Sequence, residues 1–203
     1  MAFTSIDIQN LALIAIGEEP IESIEDNTKS ARILKRIYQI TKEAELRKYN
    51  WNFAMTRAKI SALATDSYDD FGILKQYEIP VDCLRILYVE GWYIGSYVTP
   101  ILDQDDAQFR IEGNRIITAY NKDELFIRYI KRIEDDTMLD PTFVDVFAYA
   151  LAIRLAAIIT QTTTIKQQII QQYDLALIDA LRANAIEQAP TSLLDNSFIT
   201  SRL

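Results

Sequence analysis

The spacing of apolar residues changes twice along this chain, and that change constrains the fold more than any other feature. Near both ends apolar residues recur every three or four positions, which is the period of an amphipathic helix. In the middle they form short runs rich in Ile, Val and Tyr that are separated by turn residues, a pattern typical of β-strands. We therefore predict helices at both ends and strands between them.

Four helices are predicted, two at each end. Gly17 stops the first, Asn27 or Thr28 caps the second, and Asp140-Pro141 starts the third with a capping residue and a proline suited to the first turn. The predicted spans are residues 5–16, 28–49, 141–160 and 165–187.

Each terminal helix has an apolar stripe that we expect to be buried. The stripe of the first helix is Ile8, Leu11, Ala12 and Ala15, and that of the last is Ile165, Ile169, Tyr173, Ala176, Leu177, Ala180 and Leu181. On the second helix the basic residues are expected outside the stripe: Lys29, Arg32, Lys35, Arg36 and Lys42.

The middle of the chain predicts one small antiparallel sheet. The predicted strands are residues 77–80, 84–89, 110–111, 115–120 and 124–130. The turn Glu112-Gly113-Asn114 between two of these runs is typical of a β-hairpin.

These elements predict an α+β fold that is mainly a helical bundle, formed by the N- and C-terminal helices, with an inserted small antiparallel β-sheet and an extended C-terminal tail. The bundle comprises residues 1–50 and 140–189, the β-rich insertion residues 51–139, and the tail residues 190–203. Packing against each other is the simplest way for terminal helices to bury their stripes.

Composition excludes several classes of chemistry. The 203 residues contain no histidine and one cysteine, Cys83, so Ser-His-Asp and Cys-His catalysis, a thiolate metal cage and an internal disulfide are excluded. The formal net charge is −8, the opposite sign to that of a general nucleic-acid binder. No glycine-rich phosphate loop occurs either.

The apolar segment 143–159 is the one stretch that resembles a membrane span. It contains Asp145 and Arg154, and it is shorter than the roughly 20 residues that cross a bilayer. We expect it to be a core helix of a protein with no membrane partner.

Four acidic pairs are the first candidates for a catalytic or metal site. They are Glu18-Glu19, Asp69-Asp70, Asp105-Asp106 and Asp135-Asp136, all in predicted loops. None has the spacing of a calcium loop, so we expect solvated surface with no catalytic residue, metal or cofactor. A carboxylate or metal-dependent enzyme built from these pairs is the competing hypothesis.

A basic segment with interleaved aromatic residues is the second candidate. Its members are Arg47, Lys48, Trp51, Arg57 and Lys59, and in composition they resemble a nucleic-acid patch. The other interpretation is that Trp51 and Phe53 anchor the core while the basic residues are solvated, and the acidic chain favours it.

The C-terminal segment carries apolar residues and an arginine, Phe198, Ile199 and Arg202. Such an end either docks onto a partner or simply frays, and both interpretations fit the residues.

An ordered series of motifs resembles the tail tubular protein A family of short-tailed bacteriophages. The clearest are Trp51-Asn52-Phe53-Ala54 and Asp140-Pro141-Thr142-Phe143. The others are residues 10–17, Ile21, Ser23-Ile24, Asp26, Arg57-Ala58, residues 77–85, 112–113, 116–118, 125–129 and 151–156, Tyr173, Ala176, Ala180, Ser197 and Ser201-Arg202. The resemblance extends over nearly the whole chain in the family's order.

The resemblance implies a structural virion protein and no enzyme. Twelve copies would form a ring between the portal and the tail nozzle and line the channel, through which double-stranded DNA passes without specific binding. The protein would lie in the neck of the virion and, before assembly, in the host cytoplasm. Residues expected at the portal are Asp195, Phe198, Ile199, Arg202 and Leu203, while the segment from Arg47 to Lys59 would be a subunit interface or, alternatively, a nucleic-acid patch.

Overall fold

Helices from both ends of the chain pack together, as predicted. A computed structural model describes residues 3–64, 75–90, 92–93, 109–118, 121–159 and 163–187. The helices are α1 (Ser5–Ile16), α2 (Lys29–Lys48), α3 (Pro141–Ile159) and α4 (Thr163–Ile186). Helix α3 contacts each of the other three, so it forms the centre of the bundle.

The predicted helix boundaries are confirmed by their caps. Thr4 and Asp7 form a reciprocal capping box at the start of α1, and Gly17 ends that helix in the left-handed conformation with φ 79°. At α3, a side-chain oxygen of Asp140 accepts a hydrogen bond from the backbone N–H of Thr142 at 2.8 Å. Local sequence thus determines where these helices begin and end.

Helix α3 is apolar because it is buried on most sides. By length and composition it could cross a membrane. In this fold, however, Phe143, Val144, Phe147 and Leu151 are fully buried among the other helices. The interpretation of this segment as a core helix agrees with that burial.

The middle of the chain forms two antiparallel sheets where the sequence predicted one. The strands are β1 (Met55–Ser61), β2 (Lys75–Glu78), β3 (Cys83–Val89), β4 (Trp92–Tyr93), β5 (Phe109–Glu112), β6 (Arg115–Thr118) and β7 (Glu124–Lys131). The four-stranded sheet has the order β1-β7-β3-β4, and the three-stranded sheet has the order β2-β6-β5. Two sheets form because β7 pairs with β1 and β3, whereas β6 pairs with β2 and β5, so no strand joins the two sets.

Strand β1 was missing from the sequence prediction. Its residues Ala58 and Ile60 pack against the core between the sheets, while Arg57 and Lys59 alternate with them on the outer face. A small alanine in an inward position weakens the apolar alternation that identifies a strand. The pairing with β7, Met55 opposite Ile130 and Ser61 opposite Glu124, fixes its register.

The hairpin between β5 and β6 confirms the predicted turn. Glu112 and Arg115 are paired, which leaves Gly113 and Asn114 as the two-residue connection. Gly113 has φ 59°, a conformation that side chains rarely adopt.

Two apolar cores result from this arrangement. The larger lies among the helices and extends into the four-stranded sheet through Met55, Leu87 and Ile130. The smaller lies between the sheets and contains Tyr77, Val89, Ile116, Leu125 and Ile127, among others. The shared larger core attaches the insertion to the bundle.

The predicted stripes were right for α4 and partly wrong elsewhere. All seven predicted α4 residues pack on the large core. Leu11, however, is 37% exposed, whereas Leu13 and Ile16 are buried. Lys42 was expected outside α2 but is 2% exposed. Its helical position between Tyr38 and Leu46 faces the core, and a buried partner permits the charge.

Candidate interaction surfaces

Trp51 is a core residue and is not available to stack on a nucleic-acid base. It is 1% exposed, and its ring makes edge-to-face contacts with Phe143 and Tyr49 at centroid distances of 5.1 and 5.8 Å. Its indole N–H donates to the backbone carbonyl of Glu45 at 3.1 Å. The burial of Trp51 agrees with its favoured interpretation as a core anchor and argues against the alternative in which it belongs to a nucleic-acid patch.

The basic residues that precede Trp51 are occupied by contacts within the chain. Lys48 Nζ lies 2.6 Å from Glu45 Oε1 and 3.2 Å from the hydroxyl of Tyr173. Although burial alone would lower the pKa of Lys48, these two partners raise it. Arg47 donates to the backbone carbonyl of Leu84. Both cations thus help to join α2 to its neighbours.

A second arginine, Arg85, lies in the same region. Arg85 donates to the backbone carbonyl of Lys48 at 3.2 Å and to the side-chain oxygen of Asn50. Burial and then the nearby Arg47 lower the pKa of its guanidinium. This end of α2 is held to β3 by arginine side chains.

Arg57 and Lys59 lie on a different surface, the outer face of the four-stranded sheet. Arg57 is directly opposite Arg128 on β7, and Lys59 is opposite Phe126. Lys59 Nζ is 2.5 Å from Glu124 Oε2 and 5.9 Å from the centroid of Phe126. The structure therefore separates these two cations from Trp51 and groups them with residues of β7 that sequence reasoning missed.

The sequence contained a partial signal for this surface. Residues 124, 126 and 128 alternate with the buried Leu125, Ile127 and Tyr129, which places them on the opposite face of a strand. Which strand lies beside β7 is a long-range pairing that periodicity cannot reveal.

The acidic pairs have different environments. Glu18-Glu19 lies in the loop between α1 and α2, whereas Asp69-Asp70 and Asp105-Asp106 lie outside the described residues. Asp135 is exposed, but Asp136 accepts hydrogen bonds from Tyr38 and Lys42 and is only 12% exposed. The expectation of solvated surface was wrong for Asp136.

No metal site is found in the part of the chain that the structure describes, where no three metal-ligating side chains converge. Cys83 is half-buried, and burial, with Asp82 nearby, raises the pKa of its thiol to about 11. At neutral pH this thiol is protonated and therefore a poor nucleophile.

The outer face of α4 exposes large apolar residues. Leu175, Ile178 and Ile186 are 58%, 47% and 84% exposed. Their spacing places them on one side of the helix, with Arg182 between them. The predicted portal-binding residues, Asp195, Phe198, Ile199, Arg202 and Leu203, lie outside the described residues.

Comparison with known proteins gives no family assignment: no protein-family model matches the sequence, and no curated protein matches it significantly.

Proposed function

We propose that this protein is a ring-forming head-to-tail adaptor of a short-tailed bacteriophage. It joins the portal to the tail nozzle, surrounds the DNA channel and catalyses no reaction. The proposal begins from the sequence resemblance, and the architecture is consistent with it: a bundle of helices from both ends of the chain, with strands inserted between them.

The observation that carries the proposal is the apolar outer face of α4. Single exposed apolar residues are normal on a protein surface, but Leu175, Ile178 and Ile186 share one side of one helix. A second copy of this chain is the occupant that the adaptor hypothesis requires. Arg182, at 74% side-chain exposure in the middle of this face, would add directional contacts at its centre.

A closed ring needs a second, different face on every subunit. Head-to-tail contacts join unlike surfaces, so the face of α4 requires a complementary surface elsewhere on the molecule. Ile14 on α1 and Ile40 on α2 are 60% and 63% exposed, so other helices also present apolar residues.

The charge of the chain suits a DNA channel. A formal net charge of −8 disfavours strong attachment to phosphates, so DNA could pass without being held. The alternative function, a nucleic-acid-binding module around Trp51, has less support because Trp51 is buried and Lys48 is paired with Glu45.

The experiment compares a variant of this face with a matched control. Leu175→Gln/Ile178→Gln removes apolar residues from α4, whereas Val81→Gln/Met138→Gln removes two exposed apolar residues elsewhere, which are 84% and 67% exposed. Particle mass is measured for each protein alone and with the cognate portal ring. We expect the control to assemble like the parent and the α4 variant to remain monomeric. Equal assembly of the two variants would refute the role of this face.

A further inference from the structure

Two arginines face each other on the outer side of the four-stranded sheet. Arg57 on β1 and Arg128 on β7 are direct cross-strand partners. Like charges in such positions destabilise a sheet. The two cross-strand arginines give this part of the sheet a positive charge, which an anionic partner would complement.

The residues around the arginine pair form a defined basic surface. We name the set Arg57, Lys59, Phe126 and Arg128 the basic sheet face. Phe126 is 52% exposed and lies beneath the Lys59 ammonium, and a depression of about 360 Å³ lies over these residues. This face thus carries three cations and an exposed aromatic ring, although the chain as a whole has a formal net charge of −8.

The loop between α1 and α2 has the opposite charge and a fixed shape. The side-chain amide of Asn10 donates to the backbone carbonyl of Ile21 at 3.0 Å and accepts the backbone N–H of Ile21 at 2.9 Å. A side-chain oxygen of Asp26 accepts the backbone N–H groups of Glu22 and Ser23. Glu19 and Glu22 are exposed, and the structure shows no ion pair for either within the described residues. We name Glu18, Glu19 and Glu22 the acidic loop.

We propose that the basic sheet face of one copy binds the acidic loop of a second copy. The inference rests on the proposed ring, for which it assigns one of the subunit contacts. Arginine suits this role because its guanidinium can bond both oxygens of a carboxylate. The two surfaces are different parts of the chain, as a head-to-tail ring requires.

A second copy fits this face better than DNA does. Glu124 is 52% exposed on the same face and lies against Lys59, so a phosphate backbone would meet a carboxylate there. The acidic loop presents only a few carboxylates, so it can contact the arginines without lying over Glu124, whereas a row of phosphates would cover the whole face. Its backbone is already held in shape, which lowers the entropy lost on binding.

Reciprocal charge reversal tests the contact with the full-length protein. Arg57→Glu/Lys59→Glu makes the sheet face acidic, and Glu19→Lys/Glu22→Lys makes the loop basic. Arg36→Glu/Arg110→Glu is the matched control, because it changes the charge by the same amount at two exposed positions that belong to neither surface. Circular dichroism establishes that each variant is folded, and sedimentation on the portal ring measures assembly.

We expect each reversed variant alone to lose at least tenfold in assembly, while the control assembles normally. An equimolar mixture of the two reversed variants should assemble again, because each supplies the charge that the other lacks. Normal assembly of both reversed variants would overturn this contact and leave the adaptor hypothesis standing. Failure of the mixture to assemble would also overturn it.

Two further outcomes separate this proposal from its alternatives. A parent protein that stays monomeric with and without the portal would contradict both the proposed function and this inference. Binding of duplex DNA by the parent, lost in Arg57→Glu/Lys59→Glu and kept in the control, would assign the face to nucleic acid and overturn the contact between copies.

Discussion

The ammonium of Lys42 lies 2.8 Å from Asp136 Oδ1 in a largely buried position that joins α2 to the segment before α3. The other oxygen of Asp136 accepts the hydroxyl of Tyr38 at 2.9 Å. Burial, and then the Asp136 charge, raise the pKa of Tyr38 above its ordinary value, so this hydroxyl is a donor at neutral pH. Two side chains of α2 and one from the segment before α3 therefore satisfy one another at the edge of the large core.

Asp136→Ala should destabilise the protein strongly. The substitution leaves the Lys42 ammonium buried without its counter-ion, which costs about 3–5 kcal/mol in comparable pairs. Urea denaturation measures the loss. Asp135→Ala is the control, since Asp135 is exposed and bonds only the adjacent turn. An equal loss in both variants would contradict the role given to the buried pair, whereas Lys42→Met/Asp136→Leu should recover much of the stability.

Asn184→Ala should loosen the junction between α4 and the start of the β insertion. The side chain of Asn184 accepts the backbone N–H of Asn52 at 2.7 Å and donates to the carbonyl of Asn50 at 3.0 Å. Loss of two such bonds is expected to cost about 1–3 kcal/mol. Hydrogen exchange should quicken at the end of α4. Arg182→Ala, an exposed position on the same helix, should leave exchange there unchanged.

Alkaline pH should destabilise the protein partly through Cys83. Its pKa is raised from 9.0 to about 11 on folding, so the folded state keeps a proton that the unfolded state loses. The stability that depends on this proton is fully present below pH 9 and is lost as the pH rises toward about 11. Cys83→Ala should therefore show a shallower fall in its urea midpoint over that interval. Identical slopes for parent and variant would rule out the thiol as a source.

Arg57→Thr should increase the stability of the monomer slightly. Removing one arginine of the facing pair relieves repulsion, and threonine favours a strand, for a gain of about 0.2–1 kcal/mol. Lys59→Thr is the comparison, because it breaks the pair with Glu124 and should bring no gain. A loss of stability in Arg57→Thr would show that the arginine pair is not strained.

The sequence was sufficient for features that depend on near neighbours. Helix boundaries followed from Gly17, from Asp140-Pro141 and from a cap at position 27 or 28, of which the structure uses Thr28. The hairpin followed from Gly113. Such residues act on the backbone within one turn, so their effect can be inferred without knowledge of the fold.

The features that sequence analysis missed depend on long-range pairing. Lys42 lies on the core-facing side of α2 by its spacing, but its charge suggested solvent, and its partner Asp136 is far along the chain. Arg57 was grouped with Trp51 because they are close in sequence, yet β1 places it against Arg128. The partner of a side chain cannot be predicted from local sequence when that partner lies on a distant strand or loop.

The adaptor function is decided by the mass of the purified protein, measured alone and mixed with its cognate portal ring. We predict a large ring, formed either by the protein itself or on the portal. A protein that remains a monomer in both conditions would contradict the adaptor function.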